Sequence, residues 1–125
     1  MCLKFSTTTL TCFKGKSANL LASKVIIYKM NKVSIVIPVF NREKWVSEAI
    51  ESALAQTHKK IEVVVVNDGS TDKSETEILK FKDKVKYIRQ GNMGPAVARN
   101  TGIKAATGSF IVPLDSDDKL DPLFI

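Results

Sequence analysis

The chain has 125 residues, 44% of them hydrophobic and 26% charged, about one domain of an ordinary globular protein with room for one modest core. Its formal charge of +6 comes from 19 Lys and Arg against 13 Asp and Glu, but Lys4, Lys14, Lys16, Lys24 and Lys29 all precede the first acidic residue, Glu43. The 19 basic residues less those five leave 14 against 13 from Met30 onward, so the basic excess belongs to the N-terminal stretch and gives no ground for a nucleic-acid partner.

Both cysteines, Cys2 and Cys12, lie in that same stretch, which offers neither a disulfide framework nor a paired metal motif and makes a reducing, cytoplasmic setting the default. No apolar run nears the roughly 18 residues of a membrane-crossing helix, since "LLASKVIIY" is cut by Lys24. Residues 1–29 are rich in Ser, Thr and Lys, but lack a clean apolar core followed by a small-residue cleavage site. They read as a disordered leader or an over-extended start, in preference to a targeting peptide, ahead of a domain over residues 30–125.

"VSIVIPV", residues 33–39, is a nearly continuous β-branched run, the pattern of a strand covered on both faces, with Pro38 tolerated only near its end. Asn41 is placed to cap a helix over "REKWVSEAIESALAQ", where Val46, Ala49, Ile50, Ala53 and Leu54 recur at three and four residues. "IEVVVV", residues 61–66, predicts a second buried strand, broken by the turn residues of "NDGSTD". Asp72 and Glu75 then offer a capping pair for a helix over 73–82. A shorter strand follows at 85–89, then "GNMG", a helix that Pro95 opens and Gly108 stops, and a fourth strand, "FIVPL".

Strands alternating with helices in this way predict an α/β fold with a parallel sheet and helices on its faces. In such sheets ligands bind outside the carboxyl ends of the strands, so "FNRE", "NDGSTD", "GNMG" and "DSDD" are expected on one rim. The carboxylates of "DSDD" suit Mg²⁺ or Mn²⁺, hard cations that prefer oxygen ligands; the plainer reading is an acidic loop that caps a following helix. In an extended segment Asp115 and Asp117 face the same side while Asp118 points elsewhere. A calcium loop counted from Asp115 would have Leu120, not Gly, in its sixth place. Asp68 is equipped to accept a hydrogen bond from the ring N–H of a base, or to form a turn. Arg99 can reach a phosphate or carboxylate, or make a surface ion pair. "GNMGPA" is not the dinucleotide fingerprint, no Ser, His and Asp arrangement suggests nucleophilic catalysis, and the single histidine, His58, reads as structural.

Taken together, "VSIVIPVFNREKWVSEAIESALAQTHKKIEVVVVNDGSTD" and "GNMGPAVARNTGIKAATGSFIVPLDSDD" resemble the nucleotide-sugar half of the family-two glycosyltransferases over about residues 33–125. The resemblance implies the parallel-sheet, Rossmann-like GT-A fold, cut after the D-x-D motif. It implies an inverting transfer of a sugar from a nucleotide-diphosphate donor, usually UDP-linked, to an acceptor hydroxyl. Pro38 and Phe40 match the wall beside the nucleotide, Glu43 a nearby polar contact and Asp68 the base-recognising carboxylate. Asn92 and Arg99 match positions that hold the nucleotide, and Asp115 and Ser116 count among its contacts. Asp117 matches the direct ligand of Mn²⁺ or Mg²⁺, with Asp115 on the ribose or the metal's waters.

The general base of this family, an Asp or Glu, is expected downstream of Ile125. The acceptor, whether a glycan, a lipid-linked group or a protein, is left open. Polysaccharide or lipopolysaccharide synthesis, with peripheral association of a full-length protein at the cytoplasmic face of a membrane, is what the family implies. A catalytically silent fragment that binds UDP or a UDP-sugar shares every motif. A phosphate- or metal-responsive signalling domain would need its acidic cluster after the first strand, where this chain has "PVFNRE".

Overall fold

A computed structural model describes residues 31–125 and, ahead of them, the two-residue strand β1, Leu3–Lys4. The rest of the expected leader, with both cysteines, lies outside the described residues. The other strands are β2 (Val33–Val39), β3 (Ile61–Asp68), β4 (Lys86–Gln90) and β5 (Phe110–Pro113), and the helices are α1 (Val46–Leu54), α2 (Ser74–Leu79) and α3 (Pro95–Ala105). Among the described residues no helix is long and apolar enough to cross a membrane.

The sheet runs β1-β5-β2-β3-β4. β5, β2, β3 and β4 are mutually parallel, and β1 lies antiparallel against β5. The chain therefore moves outward from β2 to β3 to β4, then returns to the other side of β2 as β5. All seven residues of β2 are buried, which follows from its place at the centre with a layer on each face. Val33, Ile35, Ile37 and Val39 pack with Val63, Val65 and the apolar stripe of α1, Val46, Ala49, Ile50 and Ala53, together with Ile78 of α2. Val36, with Val64, Val66 and Ile111, packs against Ala98 and Ala106 on the α3 side. Period-two alternation within an almost wholly apolar run thus serves two cores at once.

Element ends differ from the sequence-based expectation for identifiable reasons. α1 starts at Val46, and its N-terminus has no side-chain cap. Asn41 takes a left-handed φ of 51°, and its Oδ1 instead accepts from the N–H groups of Thr71 and Asp72, at 2.8 and 3.3 Å. Asp72 does accept from the Ser74 N–H at 2.9 Å, but Glu75 turns to Tyr87 and Arg89, so only half of the expected capping pair forms. α2 ends at Leu79 because the following bonds tighten to three-residue spacing, with Phe81 N–H donating to Ile78 and Lys84 N–H to Phe81. α3 stops before Gly108 because Thr107 N–H donates to Glu62 at 2.8 Å and Gly108 N–H to Ser34 Oγ at 2.9 Å, drawing the chain out into β5. β3 runs on through Asn67 and Asp68, both buried and paired with Arg89 and Gln90 of β4. Asp68 is therefore a strand residue and not a turn former.

α3 lies so close to the sheet that a Cβ on Gly102 would come 2.3 Å from Val36 Cγ1. Helix propensity alone favours Gly102→Ala by about 1 kcal/mol; overpacking opposes it by about 1–3 kcal/mol. We expect the packing term to win, and a urea denaturation midpoint lower than wild type checks the sign.

At the opposite end of the sheet from the rim, Glu62 accepts from the Ser34 and Thr107 hydroxyls and the Thr107 N–H, with Lys32 Nζ at 3.7 Å. Burial pushes its carboxyl up, but those hydrogen bonds and Lys32 outweigh burial and hold it below the ordinary value of 4.5. A depressed carboxyl stabilises the fold fully above its unfolded value and ceases to do so as pH falls through the lower folded value. Stability should therefore fall less steeply for Glu62→Gln than for wild type between about pH 5 and about pH 3, measured by urea midpoints across that range.

Candidate functional site

The reversal of chain direction beside β2 opens a crevice between the ends of β2 and β5, where ligands of open α/β sheets sit. Val36 accepts from the Leu114 N–H at 3.0 Å. Two residues on, along the same strand edge, Pro38 has no N–H to continue the ladder, and pairing with β5 ends with Val36 opposite Pro113. A cleft of about 330 Å³ lies there, at the small end of the range for ligand sites.

Three of the four expected loops contribute to it, and the fourth segment contributes through the last residue of β3. Pro38, Val39, Phe40 and Arg42 come from the end of β2, and Asp68 from β3; Asn92, Gly94, Pro95, Ala98 and Arg99 come from the first turn of α3 and the loop before it; Asp115, Ser116 and Asp117 follow β5. Of the residues singled out in the sequence, eight line this one cleft. Glu43 does not: it is exposed, and its backbone N–H donates to Asp72 Oδ2 at 3.2 Å.

Asp68 is 2% exposed and ties down the loop opposite. Its Oδ1 accepts from Gln90 Nε2 at 2.8 Å and Met93 N–H at 2.9 Å, and its Oδ2 accepts from Gly94 N–H at 3.0 Å. Burial pushes the carboxyl up, but the Met93 N–H, the Gln90 amide and the Gly94 N–H together hold it below the usual aspartate value. With about four acceptor positions on a carboxylate, roughly one remains for a ligand. Gly69, at φ +73°, lets the two loops meet, since a Cβ there would lie 2.8 Å from the Asn92 nitrogen.

The acidic loop departs from the extended geometry expected of it. Asp118 N–H donates to the Asp115 carbonyl at 3.0 Å, closing a turn that swings Asp118 back, so that carboxylate oxygens of Asp115, Asp117 and Asp118 lie within 4.8 Å of one another. Three exposed oxygen donors so grouped suit a hard divalent cation that keeps some of its waters. Their repulsion is relieved by two arginines: Arg99 Nη2 is 3.3 Å from Asp115, and Arg42 Nε is 3.9 Å from Asp117. Downstream, the buried Gln56 accepts from the Ile125 N–H at 3.0 Å and donates to the Asp121 carbonyl at 2.7 Å, strapping the segment after the turn to the end of α1. Neither Arg42 nor Gln56 stood out in the sequence, because both fell inside a predicted helix as ordinary polar positions.

The chain is also similar to known proteins. The family model described as Glycosyl transferase family 2 matches residues 34–125. A Rickettsia felis protein named only as an uncharacterized glycosyltransferase is 52% identical over 103 residues, which is 81% of this chain and 17% of that protein. The crystal structure of S. aureus TarS 1–349 in complex with UDP-GlcNAc matches with a TM-score of 0.68 and 34% identity, covering 73% of this chain and 28% of that one. The mannosyltransferase PcManGT from Pyrobaculum calidifontis, in complex with GDP-Man and Mn²⁺, matches with a TM-score of 0.65 and 26% identity, over 70% of this chain and 28% of that one. The solved neighbours are GT-A glycosyltransferases, and this chain spans less than a third of the length of these relatives.

Asp68→Asn places an amide where a carboxylate accepted three hydrogen bonds. The loss should loosen the 90–94 loop by about 1–3 kcal/mol, seen as faster hydrogen exchange of the Met93 and Gly94 amides with little change in the amides of β2.

Proposed function

The chain belongs to glycosyl transferase family 2 and has the GT-A fold, and from that premise we propose that residues 30–125 form its donor-binding part, moving a sugar from a UDP-sugar to an acceptor hydroxyl with inversion. The observation that supports this most is the gathering of Pro38, Phe40, Asp68, Asn92, Arg99, Asp115, Ser116 and Asp117 around one cleft. Phe40, 39% exposed, forms with Pro38 an apolar wall for the base, and the remaining acceptor position of Asp68 meets a ring N–H. The first turn of α3 faces the cleft, where the positive end of a helix favours a diphosphate, and Arg99 adds a fixed charge beside it. Asp117, with Asp115, holds Mn²⁺ or Mg²⁺. A cation bound there stabilises the negative charge that builds on the leaving diphosphate. The TarS and PcManGT complexes, solved with UDP-GlcNAc and with GDP-Man and Mn²⁺, lend this assignment its chemical class.

The general base that deprotonates the acceptor is assigned to the part of the relatives' length that this chain does not span. The acceptor is a glycan, a lipid-linked group or a protein of cell-surface polysaccharide synthesis, met at the cytoplasmic face of a membrane. A second reading, that residues 30–125 bind a UDP-sugar without transferring it, rests on the same cleft, whose lining supplies contacts for a donor. Release of UDP from a UDP-sugar in the presence of acceptor extracts separates the two.

Calorimetric titration of UDP into the chain, with and without Mn²⁺, tests the donor site. Binding is expected to strengthen about tenfold with Mn²⁺, a gain of about 1.4 kcal/mol, and Asp117→Ala should abolish that gain because it removes the carboxylate assigned to the metal. A folded wild-type chain that ignores UDP with and without metal overturns the assignment.

A further inference from the structure

The cleft contains a second cation that the donor-site reading does not use. Arg42 follows directly on Asn41, whose left-handed backbone turns the chain at the end of β2. That turn is held from several sides: Asn41 N–H donates to Ser70 Oγ at 3.1 Å, Asn41 Oδ1 accepts from the Thr71 N–H, and Arg42 N–H donates to Ser74 Oγ at 2.8 Å. The side chain is fixed as well, because its Nη1 donates to the carbonyls of Phe40 and Asn41, at 3.4 and 3.1 Å. With Nη1 so occupied, Nε faces Asp117 Oδ2 at 3.9 Å.

An ion pair that long and exposed, with 42% and 53% of the two side chains accessible, is too weak to set the position of the arginine. The Asn41 carbonyl at 3.1 Å, the longer contact to the Phe40 carbonyl and the tied backbone contribute to it as well, and none of these depends on Asp117. The local charge then has a clear logic. At the acidic turn itself, Arg42 and Arg99 against Asp115, Asp117 and Asp118 leave one negative charge, and one divalent cation reverses that sign and suits the turn to an anion; Asp68, across the cleft, spends its carboxylate on Gln90, Met93 and Gly94.

Resting on the donor-site reading above, we propose that Arg42 is a positioning residue with two alternating partners: it is the counter-ion of Asp117 when no metal is bound, and a contact of the donor's diphosphate once Asp117 is engaged by metal. It opposes metal binding by itself and favours metal together with nucleotide, so that the two ligands enter as a pair. The guanidinium suits this exchange because its planar fork can leave one donor on the backbone while another changes partner.

Mn²⁺ alone is titrated into the wild-type chain, Arg42→Gln and Arg42→Lys, and read by the Mn²⁺ electron paramagnetic resonance signal; UDP is then titrated in saturating Mn²⁺ by calorimetry. Arg42→Gln should bind Mn²⁺ alone about two- to fivefold more tightly, the range that an exposed ion pair supplies. It should bind UDP with Mn²⁺ about tenfold more weakly, as for loss of one charged hydrogen bond. Arg42→Lys, which keeps the charge without the fork, should restore the Mn²⁺ affinity and only part of the UDP affinity. Equal affinities for wild type and Arg42→Gln overturn the role of Arg42 and leave the donor site standing. A folded wild-type chain that binds neither Mn²⁺ nor UDP overturns the donor site, and the role of Arg42 with it.

Discussion

The rest of this structure depends on β2, a strand with no residue open to solvent and with a parallel neighbour on each edge. Such a strand can be completed only by apolar side chains of matching volume above and below, and by polar groups that bring their own partners. Ser34 is the exception that obeys the rule, since its hydroxyl is used by both Glu62 and Gly108. Because β5 returns to the far side of β2, the strand order reverses there, and ligands of open α/β sheets bind beside such a switch point. Pro38 then ends the ladder of β2 with β5 at the place where a ligand would need room. The cleft is thus a consequence of strand order and one missing N–H, before any side chain is assigned a role.

What gives the cleft its shape is the way its loops are tied to one another. Asn41 holds the loop after β3, Asp68 holds the loop after β4, and Arg99 reaches the loop after β5. Beside them Tyr87 donates to Glu75 at 2.7 Å, and Asn67 donates to both. The Tyr87 hydroxyl foremost, then Arg89 and Asn67, hold the Glu75 carboxyl below its usual value, while burial pushes the Tyr87 hydroxyl up. Rim loops usually carry the mobile part of a fold; here charged and amide side chains bind them to a rigid sheet. Preorganisation of this kind lowers the ordering cost of binding a flexible ligand.

Much of the fold was legible in the chain itself, because the signals are local. Unbroken β-branched runs mark strands covered on both sides, the three-and-four spacing of Val46, Ala49, Ile50 and Ala53 marks α1, and Pro95 marks the start of α3. The ends were less legible. The stop of α3 depends on Glu62 and Ser34, which lie 45 and 74 residues from the groups they bind, and the start of α1 depends on Asn41 preferring Thr71 to its own helix. Each choice is made by a partner that periodicity cannot see.

The site divides along the same line. Residue types and their order placed "DSDD", "GNMG" and the end of the first strand on one rim, because parallel strands send all their carboxyl ends the same way. The placing of the "DSDD" carboxylates, Arg99, Pro38 and Phe40 on one rim is therefore determined by the sequence alone. Only the tertiary structure decided that Asp118 turns back to join Asp115 and Asp117, that Asp68 spends most of its acceptor capacity on a neighbouring loop, and that Arg42 leaves the helical face to stand over Asp117. The physical reason is that hydrogen bonds between loops couple residues far apart in the chain, and which donor wins is settled when the strands beneath them have packed.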